Sequence, residues 1–468
     1  MRKATTLIAA ALLVVSALAG HSPEEWKARS VYQVLTDRID STNGSKGNYC
    51  NDLKHYCGGT FKGIENHLDY IKGMGFDAIW ISPIVKNWPG SYHGYHCVDL
   101  YSINENFGSE QDLKDLISAA HSKDIWVMVD VVGNHMAPTN DFSQLKPFNS
   151  QDHYHSQCDI NFNDQNSIEQ CWLAGLADLN QENDWVAQQL YDWAAWLQSE
   201  YGFDGFRLDT ERHVRKSFWR EFNDKAGAYM VGEVFDGNTD YVLGYQGVID
   251  GVFHYPMYYT LNDVYGSGQS MYNIRNRLNE CDNYKSEADQ NMLGVFISNH
   301  DNPRWLHNHN NQNNMWSALA YVFFGRGIPF FYYGDEQGFS GGNDPDCREP
   351  LWNDFDTTKD MYQRVKKMND ARREHKTWES PYVERYVADN FFAFSRGDVL
   401  IATTNDSNNE IKYSVTYNPF SAGDRVCNIF YDSDCLTITN DGALEVVLKG
   451  GEAKIYVRSS STFEEQSE

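Results

Sequence analysis

Four carboxylates in this chain stand at the ends of apolar, β-branched runs. They are Asp130 after Ile125-Trp126-Val127-Met128-Val129, Asp209 after Phe206-Arg207-Leu208, Glu233 after Tyr229-Met230-Val231-Gly232, and Asp301 after Val295-Phe296-Ile297-Ser298-Asn299-His300. Arg207 and Asp209 are two residues apart, so an extended chain projects both to one side. A guanidinium beside a carboxylate holds it ionised, which suits a nucleophile or an electrostatic stabiliser. Glu233 closes a strongly apolar run, where burial favours a protonated carboxyl and therefore a general acid. Glycoside hydrolysis requires that pair, one carboxyl ionised and one protonated, across the scissile bond. Asp301 is then placed to bind sugar hydroxyls or stabilise positive charge, and His135 and His300 to donate to hydroxyls at the same mouth. Asp130 is read as a support for Arg207 or its loop. Any one of these features alone would also suit a strand-end salt bridge or a core histidine. Their repetition within one chain is what argues for a site.

Acids at the carboxyl ends of several parallel strands converge at one mouth of a β/α barrel. The pattern predicts an α/β fold, a TIM (β/α)8 barrel. Its strands are expected at Val31–Leu35, Ala78–Ile81, 125–130, 204–209, up to Glu233, around Gly251–Phe253, at 294–298 and at Pro329–Tyr333. Amphipathic stretches such as Ile64, Leu68, Ile71 and Met74 alternate with them. After Asn134 the alternation breaks for about 50 residues rich in Asn, Asp, Gln and Ser, too long for a plain loop in a compact domain. Residues 135–185 are therefore read as an inserted, loop-rich domain after strand three, with the barrel occupying 21–134 and 186–380. From 381 to 458, short alternating runs punctuated by Gly397-Asp398, Asp441-Gly442 and Gly450-Gly451 predict a C-terminal antiparallel β-sandwich domain, followed by a polar tail, 459–468.

The chain has 468 residues, room for one large barrel and a smaller domain. Met1-Arg2-Lys3, an apolar stretch from Leu7 to Leu18 and Ala17-Leu18-Ala19 read as a signal peptide over residues 1–20, so a secreted protein is expected, and no later run is long enough to cross a membrane. Sixty-five acids against 39 Lys and Arg leave a net charge of -26, which excludes nucleic acid as a partner class. The load of 13 Trp, 29 Tyr and 25 Phe suits the C–H faces of sugars as well as an ordinary core. Nine cysteines in an exported chain predict disulfides with at least one thiol left over. Local spacing offers Cys50–Cys57, Cys158–Cys171 and Cys427–Cys435, leaving Cys97, Cys281 and Cys347. Asn43 and Asn405 open glycosylation sequons. A metal-assisted hydrolase is the competing enzyme class, but no His-x-x-x-His occurs. Asn134, Glu169 and Asp178 are oxygen ligands that suit Ca²⁺ rather than zinc.

Four ordered motifs carry a resemblance: Asp130-Val131-Val132-Gly133-Asn134-His135, Gly205-Phe206-Arg207-Leu208-Asp209-Thr210-Glu211-Arg212-His213, Gly232-Glu233-Val234-Phe235-Asp236 and Asn299-His300-Asp301-Asn302-Pro303-Arg304. Tyr92-His93-Gly94-Tyr95 and Gly341-Gly342-Asn343-Asp344-Pro345 support them. On these the chain resembles the α-amylase family of glycoside hydrolases, most closely its secreted fungal type, from about Ser22 to Val457. The resemblance implies endo-cleavage of α-1,4-glucans with retention. Asp209 would be the nucleophile, Glu233 the acid and base, and Asp301 the transition-state stabiliser. Tyr95, His135, Arg207 and His300 would hold the sugar on the non-reducing side, with Asp344 and Arg348 reaching it or its neighbour. Arg212, His213 and Phe235 would also bind substrate, with Phe235 narrowing the leaving side. Calcium would be held by Asn134, Glu169, Asp178 and the His213 backbone carbonyl. Cys50–Cys57 and Cys158–Cys171 match bridges of the fungal type.

The chain departs from that type at three cleft positions, with Arg212 in place of Lys, His96 in place of Trp and Phe235 in place of Leu. The partner expected for Cys281 is replaced by Leu243, while Cys97 and Cys347, both in loops at the mouth, are expected to pair. A monomer is the default expectation. Transglycosylases, maltogenic amylases and α-glucosidases use the same acids, and an inactive carbohydrate-binding protein on this fold would lack Asp209 or Glu233.

Overall fold

The computed structural model describes residues 21–44, 50–284 and 289–459. The signal peptide read over 1–20 and nearly all of the polar tail lie outside them. Eight short parallel strands follow one another around a barrel: β1 (Val31–Gln33), β2 (Ala78–Ile81), β3 (Trp126–Val132), β4 (Gly205–Asp209), β5 (Tyr229–Gly232), β6 (Gly251–Val252), β7 (Gly294–Val295) and β8 (Ile328–Tyr332). β8 returns to pair with β1, and the seam between β6 and β7 is closed by a parallel bridge, Phe253 with Gly294. The strands are the ones that the apolar runs predict.

Strand period two explains how the barrel positions its polar groups. Residues facing the helices, among them Ile79, Val127, Val129, Phe206, Leu208 and Met230, join the large outer core. The alternate set, Val31, Ala78, Trp80, Trp126, Met128, Tyr229 and Val231, fills the barrel interior with Phe253 and Phe330. Continuing that inward set toward the strand ends gives Gln33, Asp130, Arg207, Asp209 and Glu233 in turn. The register of β3 on β4 sets Asp130 opposite Arg207 and Val132 opposite Asp209.

Helix boundaries follow local chemistry. Ser109 and Asp112 form a capping box at the start of helix Glu110–Ser122, which buries Leu113, Leu116, Ile117 and Ala120. Helix Asp184–Tyr201 starts under the Asn183 side chain and stops at Gly202, whose φ of +70° ends the helix just before β4. Between β3 and that helix the chain makes short turns and one six-residue helix, Gln165–Gln170. It is tied back by bridges from His135 to Asp178 and from Tyr154 to Leu179.

Beyond the barrel, β9 (Tyr382–Ala388), β10 (Phe391–Arg396), β11 (Val399–Thr403), β13 (Arg425–Asn428), β14 (Cys435–Thr437) and β16 (Lys454–Arg458) form a six-stranded sheet, and β12 (Glu410–Val415) pairs with β15 (Leu444–Lys449). Strand β10 is buried throughout because its two faces serve two cores. Phe392 and Phe394 pack on the barrel side, Phe391 and Ala393 between the sheets. Asn43 is exposed, whereas the Asn405 amide is buried and donates to the Gln269 and Asp389 carbonyls at 2.5 and 3.3 Å, which leaves that sequon closed in the folded chain.

Three disulfides form, Cys50–Cys57, Cys158–Cys171 and Cys427–Cys435. The expected Cys97–Cys347 pair does not. Both are free and buried; the Cys347 thiol donates to the His300 carbonyl at 3.3 Å, while Cys97 sits in the hairpin Val85–Asn87/Cys97–Ile103 and packs into the outer core. Residence in loops at one mouth does not bring two Cβ atoms within bridging distance. Cys281 faces His254 Nε2 at 3.6 Å. Thiol titration after denaturation is therefore expected to count the three free cysteines, and none while the protein is folded; a single thiol would restore the Cys97–Cys347 bridge.

Candidate active site

The inward residues of β3, β4 and β5 meet at Arg207, which is 1% exposed. One terminal nitrogen, Nη1, donates to Asp209 Oδ1 at 2.8 Å and to both Asp130 oxygens at 3.1 and 3.2 Å, while Nη2 lies 3.1 Å from Glu233 Oε1. Trp80 and Tyr95 donate to Asp130 as well, at 3.1 and 2.8 Å. Thr210, next in the chain after Asp209, adopts a φ of +50°, rare for a β-branched residue. That turn lets its hydroxyl reach Asp209 Oδ2 at 3.1 Å while its amide reaches Glu233 Oε2 at 3.2 Å.

The two carboxyls ionise in opposite directions. Burial opposes the charge on Asp209, but His135, 3.5 Å from Oδ2, and Arg207 outweigh it and hold the group well below the usual carboxylate range. Glu233 is pushed up to about 8, chiefly by burial; Arg207 opposes the shift, and the anions of Asp209 and Asp301 add to it. Tyr255 donates to Glu233 Oε1 at 3.3 Å and is itself held by Asn299 at 3.0 Å. Burial also raises Asp130 to about 7, against the pull of Arg207.

Asp301 lies across the mouth, raised by burial against the pull of Arg348 and Arg207. Arg348 reaches Asp301 at 3.2 Å, Asp344 at 3.0 Å and the His300 carbonyl at 2.8 Å, so one guanidinium spans this side. Burial, with Arg207 and Arg348 nearby, keeps His300 neutral. The Gln33 amide donates to its Nδ1 at 2.7 Å, which places the ring proton on Nε2, 2.6 Å from the Tyr95 hydroxyl. Tyr95 in turn donates to Asp130. A directed chain thus runs from β1 through the tip of the Tyr92–His96 loop to β3.

On the opposite side, Arg212 donates to the Phe235 carbonyl at 2.6 Å and to Asp236 at 3.1 Å. Phe235 is 41% exposed, its ring 4.6 Å from Tyr255. Phe162 stands exposed beside Arg212 and edge-on to His213. Gln33, Trp80, Tyr255 and Phe162 escape sequence reasoning because a lone polar or aromatic residue carries no spacing signal, and Asn299 opens the fourth motif with no role assigned to it.

The candidate metal ligands divide. The side-chain oxygen of Asn134 faces Asp178 Oδ1 and the His213 carbonyl oxygen, both at 3.1 Å, in a fully buried position. Three oxygens face one another in this way only around a cation, or else the amide turns to donate to both. The oxygen-only donor set fits calcium. Glu169, on helix Gln165–Gln170, accepts from Gln165, whose amide also donates to the Arg212 carbonyl. Among the described residues no three His, Cys, Asp or Glu side chains gather as a metal set; here an amide and a backbone carbonyl make up the number. A glycine links this group to the acid strand. A Cβ on Gly232 would lie 1.9 Å from Glu211 Oε2, so the Glu211–His213 turn packs directly on β5.

A family model described as the alpha amylase catalytic domain matches residues 33–395. The chain is 38% identical over 462 residues to a beta/alpha-amylase of Paenibacillus polymyxa, covering 93% of this chain but spanning only 38% of that longer protein. It is 35% identical over 463 residues to an alpha-amylase of Saccharomycopsis fibuligera, covering 93% of this chain and 92% of that one. The solved structure of an alpha-amylase from Malbranchea cinnamomea superposes with a TM-score of 0.90 at 38% identity, over 94% of this chain and 98% of the other. The barrel, its mouth of paired acids and these matches together make the chain a member of the α-amylase family, a glycoside hydrolase of the α-amylase kind.

Proposed function

We propose that the protein cleaves internal α-1,4 bonds of starch-type glucans by double displacement with retention. The observation that carries this reading is the placement of Asp209 and Glu233 on neighbouring strands against a single guanidinium, with Thr210 bonded to both carboxyls. Asp209 attacks the anomeric carbon while Glu233 gives its proton to the departing glycosidic oxygen, and a glycosyl ester on Asp209 results. Glu233, now an anion, takes a proton from water; the water oxygen attacks the same carbon and Asp209 leaves. Asp301 stabilises the positive charge that develops between these states. His135 donates to a hydroxyl of the bound sugar and Tyr95 lies against its face, while His300, whose one ring proton goes to the Tyr95 hydroxyl, holds that ring in place beside the sugar. Asp344 and Arg348 extend that side, while Arg212, His213 and Phe235 receive the leaving sugar.

Calcium completes the reading. Asn134, Asp178, the His213 carbonyl and Glu169 would hold it, joining the 135–185 insertion to the barrel; bound there it supplies positive charge that neutralises the facing oxygens. The three disulfides agree with an exported enzyme.

Asp209→Asn is expected to lower kcat on soluble starch by about four to six orders of magnitude, the scale of losing a covalent nucleophile, with the melting curve retained; near-normal turnover refutes the assignment. Proton NMR of the first products should show the α-anomer in a spread of short maltooligosaccharides, whereas cyclic or lengthened products would mean transfer. The pH profile of kcat/KM should hold while Asp209 is ionised and Glu233 protonated, and fall on the basic side near pH 8. Asp301→Asn removes an anion that helps retain the Glu233 proton, so its basic limb should move to lower pH. Calcium at a hundredfold excess over Kd should stabilise the chelator-treated protein by about 2.7 kcal/mol, read as a rise in Tm, and Asp178→Ala should abolish that rise.

A further inference from the structure

Asp344 reaches the non-reducing side of the mouth from the loop after β8, but it does not fix its own place. Its side chain is half exposed and pairs with Arg348 at 3.0 Å, and an ion pair at the surface holds a loop only weakly. What holds the loop lies beneath it, at Arg304, which is fully buried. Arg304 Nε donates to Glu349 Oε2 at 2.6 Å, and Nη1 donates to Asp335 Oδ1 at 2.9 Å and to the Tyr333 carbonyl at 2.8 Å. One planar fork thus joins the end of β8 to the segment that carries Arg348.

Gly341 is threaded through this pair. Its carbonyl accepts from the Arg304 amide at 3.0 Å, and its amide donates to Glu349 Oε1 at 2.6 Å. The two oxygens of one carboxylate therefore hold the guanidinium and the loop. The approach needs a glycine, since a Cβ there would lie 1.8 Å from the Asp346 carbonyl oxygen and 2.6 Å from Glu349 Oε1. From Gly341 the chain runs past Asp344 in tight turns, the Asp346 amide donating to the Asn343 carbonyl at 2.7 Å and the Arg348 amide to the Pro345 carbonyl at 2.9 Å. Tyr333 closes the far side by donating to the Glu349 carbonyl at 2.8 Å. Arg304 also follows Asp301 by three residues, and Arg348 bonds Asp301 and the His300 carbonyl, so this knot is tied to the mouth from both directions.

We propose that Arg304 and Glu349 are positioning residues for substrate binding. Through Gly341 they set where Asp344 stands, and through the backbone they set Arg348, so that the sugar next beyond the one being cleaved is held on the non-reducing side. They act without touching substrate. The inference rests on the α-glucan reading above. A carboxylate is required at 349 because Arg304 is charged and buried, and only an anion can neutralise it while also accepting from the loop. Contacts to a sugar away from the reacting carbon favour bound substrate and transition state alike, so their loss is read in KM rather than kcat.

The test follows the initial products from 4-nitrophenyl α-maltopentaoside, in which every unlabelled fragment comes from the non-reducing end. A cut after the first glucose leaves the neighbouring position empty, whereas every later cut fills it. Glu349→Ala should therefore raise the ratio of glucose to maltose plus maltotriose about fivefold and KM about fivefold, with kcat within about threefold. The product ratio does not depend on how much of the enzyme is folded. A purely structural role would lower Tm and leave the ratio unmoved, and an unchanged or lower ratio overturns the proposal. Should the alanine variant fail to fold, Glu349→Gln keeps the shape and one acceptor but removes the charge. It should raise the ratio about twofold, and an unchanged or lower ratio overturns the proposal equally. Failure of the wild type to cleave the pentaoside would instead overturn the α-glucan reading itself, so the two failures are distinct.

Discussion

The site depends on a shortage of positive charge. Arg207 is buried in the barrel mouth and touches three carboxylates, with Asp301 nearby as a fourth. Burying a guanidinium costs several kcal/mol unless anions attend it, yet one cation cannot hold three acids ionised in so dry a place, and Asp301 leans on Arg348. The sharing is uneven for geometric reasons. Asp209 has the 2.8 Å contact plus His135 and Thr210, so it keeps its charge, while Glu233 and Asp130 titrate near neutrality. Asp209 and Glu233 differ here by what surrounds them, since both are ordinary carboxyls on neighbouring strands. A lysine at 207 would supply the charge without the planar fork that reaches β3, β4 and β5 together.

The barrel's contribution is period and register. Side chains alternate between the outer core and the interior, so each strand that fills the centre with Trp80, Met128 or Val231 delivers its next inward residue to the mouth. Parallel pairing of β3 with β4 then fixes Asp130 beside Arg207 with no help from loops. The loops supply what alternation cannot. Tyr95 arrives from the β2–β3 connection, and Arg348 from the segment after β8, each to meet His300.

Much of this was legible in the chain because it is written in short-range pattern. Apolar runs ending in acids identify strands, and the Arg207–Asp209 spacing identifies a shared face. Local cysteine spacing identifies the three disulfides. What was not legible depends on distances between remote segments. Gln33 sets the His300 tautomer across 267 residues, and nothing around it announces that role. The Cys97–Cys347 pairing failed for the same reason, because loop membership says where a residue emerges but not which way its Cβ points.

Gly232 carries a consequence for how the enzyme can change. Because a Cβ on Gly232 would lie 1.9 Å from Glu211 Oε2, the strand that presents Glu233 and the Glu211–His213 turn pack with no room between them. Were a cation held at the His213 carbonyl as proposed, linkage would make the coupling reciprocal: the cation would steady the strand of Glu233, and distortion of that strand would weaken the cation's binding. Substitution at Arg212 or His213 is therefore constrained by the strand of Glu233 that their turn adjoins.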